Sequence, residues 1–379
     1  MMRKIIKSQF IRLLTRSAAV FALLLPFPLF GQQNAAFFRI VSPTNSRITG
    51  FSSDGTFVWT NGATGVICTV QRTVTLAGLS NWVDYIQHAV TNPIMTTRLF
   101  DLKSPADMAY IPAGVFNMGD NLDEFTSAQP VHSVYVSGFY MGKTEVTKAQ
   151  WDEIYVWAVT NGYSFTNAGL GKASSHPVHT VNWYDCVKWC NARSEKEGKT
   201  PCYTVEGEVC RTGQNTPDCN WSAVGYRLPT EAEWEKAARG GLNGKRFPSN
   251  DTIKHTRANY YSSSSYSYDT SSTRGFHPSY DDAPLPYTSP VGSFSANGYG
   301  LYDMAGNVYE WCWDWYGSTE YSTTALSNPC GASSGFGRVG RGGDWGDGAG
   351  GCRAAGRGSG APGGANCSIG FRVVRSSCQ

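Results

Sequence analysis

GYRLPTEAEWEKAARGG, residues 225–241, carries complete helix punctuation, whereas NGYGLYDMAGNVYEWCWDWY, residues 297–316, carries none. Thr230 and Glu233 form a capping box, each able to satisfy a backbone N–H of the other's turn. Trp234 lies inside the helix they open, and Gly240-Gly241 ends it. Two similar starts lie upstream. Thr147 to Gln150 is a capping box opening a helix around Trp151 to Val159, and Asn182 to Asp185 caps another that carries Cys186, Trp189 and Cys190 and stops at Gly198. Between and after these helices run stretches rich in Tyr, Ser, Gly and Trp, residues 259–275 among them, that suit neither helix nor regular strand. Long irregular segments in a compact domain carry function or a bound ion.

Further out, residues 34–104 have another texture. FFRIVS, TFVWT, VICTVQRTVTL, WVDYIQHAV and IMTTRLFDL alternate with turn signals such as Asn61-Gly62, which predicts a small β-sandwich of five or six strands over residues 32–104. Lys103-Ser104-Pro105 is the expected junction with a domain covering 105–379. The first 16 residues hold five basic side chains and Ala18 to Phe30 is apolar, so residues 1–31 are read as a cleaved secretory signal peptide. The apolar run is shorter than the roughly 20 residues of a membrane span. The expectation is a secreted, periplasmic or cell-surface protein with no transmembrane segment in the mature chain.

The 379 residues carry a formal charge of +3, which falls to about −2 without the leader, leaving no basic surface to argue for nucleic acid. At 41% hydrophobic and 13% aromatic, with 12 Trp, the chain folds rather than remaining disordered. Export permits disulfides. Eleven cysteines leave one over, with Cys378 the candidate, and a Cys202–Cys219 bridge would close the polar insertion from Pro201 to Asn220. Cys186 and Cys190 share a helix face and read as buried, and no C-x-x-C zinc pattern occurs.

Six segments together resemble the formylglycine-generating enzyme family, also called sulfatase-modifying factors. They are MAYIPAGVFNMGD (108–120), QPVHSVYVSGFYMGKTEVTKAQW (129–151), HPVHTVNWYDCVKWCNA (176–192), the two stretches quoted above, and RGGDW with GFRVV (341–345, 370–374). The resemblance implies an α+β fold with much irregular backbone, related to C-type lectins and braced by calcium. It puts one calcium on Asp303, Glu310 and the carbonyls of Gly306 and Val308, and a second on Asn259, the carbonyl of Tyr260 and Asp282. Calcium takes six to eight oxygens at flexible geometry.

The family's oxidases turn a substrate cysteine into formylglycine with oxygen and copper held by two cysteines. Two thiolates make the soft site that selects Cu(I). In this chain the first position is Asp347, counting puts Cys352 at the second while aligning CRAAGR with the family's later arginine segment puts it on an aromatic position, and Asp344 stands where the family has serine. An aspartate and one cysteine do not make that site. No H-E-x-x-H or Walker-type loop is present, and His132, His176 and His179 read as structural.

Residues 340–370 hold 13 glycines in 31 positions against 42 in the whole chain, more than core packing asks for. Small and polar residues interleave there with family positions, which resembles the variable region of diversity-generating-retroelement display proteins. The preferred expectation is non-catalytic recognition of a protein or glycan ligand by Asp344, Trp345, Asp347, Arg353, Arg357 and Asn366, with Trp313, Trp315 and Tyr316 as aromatic anchors. The alternatives are a copper-dependent formylglycine-generating oxidase acting on sulfatases, with copper required in that case only, and a structural envelope protein.

Overall fold

The computed structural model describes residues 11–15, 18–22, 37–51, 56–73, 83–98, 105–123, 125–317, 321 and 323–377. Of the expected leader, residues 1–10, 16–17 and 23–31 lie outside the described residues; Ile11–Thr15 and Ala18–Ala22 pair antiparallel. Cys378 also lies outside them. The chain divides into two compact units, one of Met1–Lys103 with Pro112–Phe116 and Gly241–Asn243, the other of Ser104–Ile111, Asn117–Gly240 and Gly244–Gln379. Among the described residues, no helix is long and apolar enough to cross a membrane.

The first unit is all β. Phe37–Val41, Ile67–Thr73 and Val83–Ala89 form antiparallel neighbours, and Ser46–Phe51, Thr56–Asn61 and Ile94–Arg98 form a second antiparallel sheet. Burial alternates along Thr56–Asn61, so Phe57, Trp59 and Asn61 face inward as the period-two pattern requires. The buried Trp59 indole donates to Thr97 at 2.9 Å. Ser46–Phe51 is a strand that the sequence reading passed over, its pattern broken at Gly50 where the register shifts.

The second unit is α+β and holds three α-helices among the described residues. These are α1 (Lys148–Thr160), α2 (Trp183–Lys196) and α3 (Glu231–Arg239). All three begin where their caps predict: α1 and α3 close full capping boxes, and Asn182 accepts from the Asp185 N–H at 2.8 Å. Gly240 ends α3 in the left-handed region at φ 56°. α1 and α2 pack through Trp151 and Trp189, stacked at 6.1 Å with Phe371 edge-on to both. Such aromatic pairs each contribute about 0.5–1.5 kcal/mol beyond area burial.

The four-stranded sheet that organises the carboxyl-terminal region runs Arg357–Gly360, Arg338–Arg341, Tyr309–Trp315, Ile369–Gly370. Tyr309–Trp315 is thus a strand, inside a stretch expected to be irregular. Its signal was present: Tyr309, Trp311, Trp313 and Trp315 recur at period two.

Every described cysteine is a free thiol, Cys202 and Cys219 included, so the expected bridge is absent. The insertion is anchored through its backbone instead. Tyr203–Val205 pairs with Asp218–Cys219, Cys202 accepts from Asn220 N at 2.8 Å, and the buried Asn191 donates to the carbonyls of Tyr203 and Cys210. Cys186 and Cys190 are buried in α2, and desolvation pushes both thiols well up, which leaves them unreactive.

Candidate functional site

Tyr309–Trp315, inside the sheet, and Arg357–Gly360, at its edge, border a cavity of about 460 Å³, within the roughly 300–1,000 Å³ range of ligand sites. Tyr309, Trp311, Asp344, Ser359, Asn366 and Ser368 contribute its aromatic and polar lining. Asp344 is 8% exposed, and its Oδ1 accepts from the Gly346 N–H at 2.7 Å. Burial, then the charge of Asp347, pushes the Asp344 carboxyl up to about 6. Asp347 is also pushed up by burial, and its Oδ2 is buried without a hydrogen-bond partner. Asn366 is exposed, its Oδ1 accepting from the Ser368 N–H and hydroxyl.

The other expected ligand contacts are framework. Arg353 is buried, and its Nη2 donates to both oxygens of Asp120 at 2.6 Å, with Asp123 3.1 Å from Nη1. Arg357 grips Glu231 in a fork at 2.6 and 2.8 Å and lies over the rings of Tyr316 and Tyr321. Neither guanidinium is available to a ligand. Trp345 is 8% exposed and packs against Tyr287 and Phe276. Trp313 stacks on Tyr203 at 5.3 Å, and Trp315 lies 3.6 Å from the Arg338 guanidinium.

The glycines also have a packing cause, contrary to the compositional reading. A Cβ on Gly360 would meet the Trp311 ring at 2.7 Å, one on Gly358 the Tyr309 ring at 3.1 Å, and one on Gly356 the Gly351 carbonyl at 2.7 Å. Gly343 combines φ +71° with a Cβ position 2.9 Å from the Cys352 sulfur. Backbone therefore lies against ring and sulfur where any side chain would intrude. Gly346, Gly363 and Gly364 are exposed, with milder neighbours.

Asp347 and Cys352 do come together. Asp347 leads the charges that raise the Cys352 thiol, after the dominant effect of complete burial. A carboxylate beside a thiol held protonated is not the two-thiolate donor set that Cu(I) selects. The histidines bond locally, His132 to the Pro130 carbonyl, His176 to Thr288 and His179 through Nδ1 to Thr180, while the buried Nε2 of His179 has no partner.

The expected calcium donors divide. Glu310 is buried with both oxygens held by Arg372 at 2.6 Å, one of them also by the Trp234 indole. Asp303 keeps a buried Oδ1 without a partner, as does Oε2 of Glu145 beside it. Burial, with Asp303 next, pushes Glu145 well up, and burial raises Asp303 to about 6. Glu145 was missed in the sequence, where nothing distinguishes it from a surface glutamate. The loop turns at Gly306, with φ +80° and a Cβ position 2.1 Å from the Asn259 carbonyl. At the second set, Asn259 has a buried Oδ1 without a partner, but the Tyr260 carbonyl accepts from His255 and Asp282 is exposed and paired with Lys172. Among the described residues, no group of three or more His, Cys, Asp or Glu is placed to hold a metal ion.

The sulfatase-modifying factor enzyme 1-like domain matches residues 97–377. The chain is 33% identical over 229 residues to the chaperone protein LppX of Paenibacillus barcinonensis, covering 56% of this chain and 73% of that protein. It is 32% identical over 271 residues to the formylglycine-generating enzyme of Streptomyces coelicolor, covering 64% and 80%. The match to the serine/threonine-protein kinase pkn1 of Chlamydia caviae, 31% over 288 residues, takes in 71% of this chain but only 38% of that protein. Among solved structures, Treponema denticola variable protein 1 superposes with a TM-score of 0.55 at 30% identity, covering 71% of this chain and 95% of that one.

Proposed function

Since the chain belongs to the sulfatase-modifying factor enzyme 1-like domain family, we propose that it keeps the family's scaffold for non-catalytic recognition, with the cavity beside Asp344 as the ligand site. The observation that carries this reading is the pairing of Asp347 with a protonated, buried Cys352 where the family's oxidases need two thiolates. The likeness to a protein named as variable supports ligand display. Packing restricts such variation to open positions, such as Gly346, Ser359, Gly363, Gly364 and Asn366. The basic and then apolar amino terminus supports export.

The second reading, a formylglycine-generating oxidase, draws on the similarity to the Streptomyces enzyme and on Cys352. One assay separates the two. The full chain is loaded with copper and mixed under air with a C-x-P-x-R peptide, and aldehyde is read by mass spectrometry. No aldehyde above a copper-only control is expected; its appearance would overturn the recognition reading.

We further propose that calcium binds at Asp303 and Glu145 rather than Glu310. The support is the two buried carboxylate oxygens without partners. Calcium there would supply positive charge to two acids that burial pushes up, Glu145 further still through the charge of Asp303.

A further inference from the structure

The cavity beside Asp344 is acidic and has no internal counter-charge. Asp344 is the one charged residue in its lining among the described residues. Around it, the groups that act on Asp344, Asp347, Tyr309 and Cys352 through charge are acids or thiols, and none is a cation. The four arginines that share this region are committed elsewhere. Arg338 lies between the rings of Trp183 and Trp315, and Arg341 pairs with Glu235. Arg353 pairs with Asp120, and Arg357 with Glu231.

A carboxylate that is nine-tenths buried, with a second one next to it, is costly unless it is neutralised or meets a positive charge from outside. The walls suit such a visitor. Half-buried Tyr309 presents aromatic surface, against which a cation is favoured, while the Trp311 ring is buried against Gly360. Ser359 and Ser368 add hydroxyl acceptors at the rim. A metal ion is the poorer fit, because calcium takes six to eight oxygens and Asp344 is the one carboxylate in this lining.

We propose that this cavity takes an organic cation, the ammonium or guanidinium group of a basic side chain on a peptide partner. The proposal rests on the reading of the cavity as a recognition site and names the chemical class of what it recognises. Asp344 receives the charge, Asp347 reinforces it, and the Tyr309 ring covers the alkyl stem.

The test titrates the full chain with N-acetyl-lysine methylamide, N-acetyl-arginine methylamide, N-acetyl-glutamine methylamide and putrescine, following heat release. Binding of a basic mimic at least tenfold tighter than the glutamine mimic is expected. Asp344→Asn should weaken it at least tenfold while the protein melts no lower than the parent. Ser359→Lys, at an exposed position, should do the same by supplying a tethered cation at the mouth. Binding of putrescine alone would support the cation chemistry and identify the source as a free amine. Equal binding of the glutamine mimic, or unchanged affinity in both variants, would overturn the cation proposal and leave a recognition site of other chemistry. Failure of all four probes would also overturn it. The recognition reading itself falls only if aldehyde forms in the copper assay.

Discussion

Gly343→Ala should destabilise the protein severely, and Gly363→Ala should not. At Gly343 the backbone sits at φ +71°, where an L-residue costs about 1–2 kcal/mol. The new methyl would also lie 2.9 Å from the Cys352 sulfur and 3.0 Å from the Cys352 backbone nitrogen. Inserting a methyl into packing of that tightness costs about 1–3 kcal/mol. The two together give a loss of roughly 2–5 kcal/mol, and at about 2–4 °C per kcal/mol for a domain of this size the Tm should fall by roughly 4–20 °C. Gly363 is exposed, and its Cβ would find only the Gln214 Oε1 at 3.4 Å, so the change should stay within about 0.5 kcal/mol. Thermal melts followed by near-ultraviolet circular dichroism would read both. A Gly343→Ala protein melting within 1 °C of the parent would refute the argument that packing, rather than display, selected the buried glycines.

Two further outcomes follow from the buried acids. Asp344 titrates near 6 in the folded chain against 3.8 for a free side chain, so between those values the folded form holds a proton that the unfolded form has released. Stability therefore falls as pH rises from about 4 to 6, and the full penalty persists above; Asp344→Asn should gain up to roughly 3 kcal/mol at pH 7.5 and nothing at pH 3.5 in urea titrations. A variant no more stable at pH 7.5 would remove the buried-charge argument. Calcium at millimolar concentration should raise the Tm of the parent but not of Asp303→Asn, and an equal rise in both would move the ion away from Asp303.

What could be read from the sequence was what short-range rules control. The caps at Thr147, Asn182 and Thr230 act within one turn, and each predicted a helix that starts at the next residue. What could not be read depended on partners far along the chain. Arg353 and Arg357 looked like polar contacts for a ligand because Asp120 and Glu231, which neutralise them, lie more than 100 residues away in sequence. The glycines looked like vacated display positions because composition carries no record of the rings and carbonyls that exclude a side chain. The same limit hid Glu145, whose meaning comes only from Asp303 across the loop. Tyr309 and Trp311 were different, since their period-two spacing was present but outweighed by flanking glycines and asparagines.

The ties between residues 338–376 and the rest of the second unit also set an order of events in synthesis. Arg353 reaches Asp120, Arg357 reaches α3, Arg372 locks Glu310, and Val374 pairs with Arg227 and Met141. A growing chain has α1, α2 and α3 in hand long before these residues leave the ribosome, yet it lacks the strands and guanidinium groups that neutralise Asp120, Glu231, Glu235 and Glu310. Closure of this core therefore waits for residues 338–376. Its folding is paced by contacts of high sequence separation, and the nascent chain stays open, and in need of protection from aggregation, until those residues have emerged.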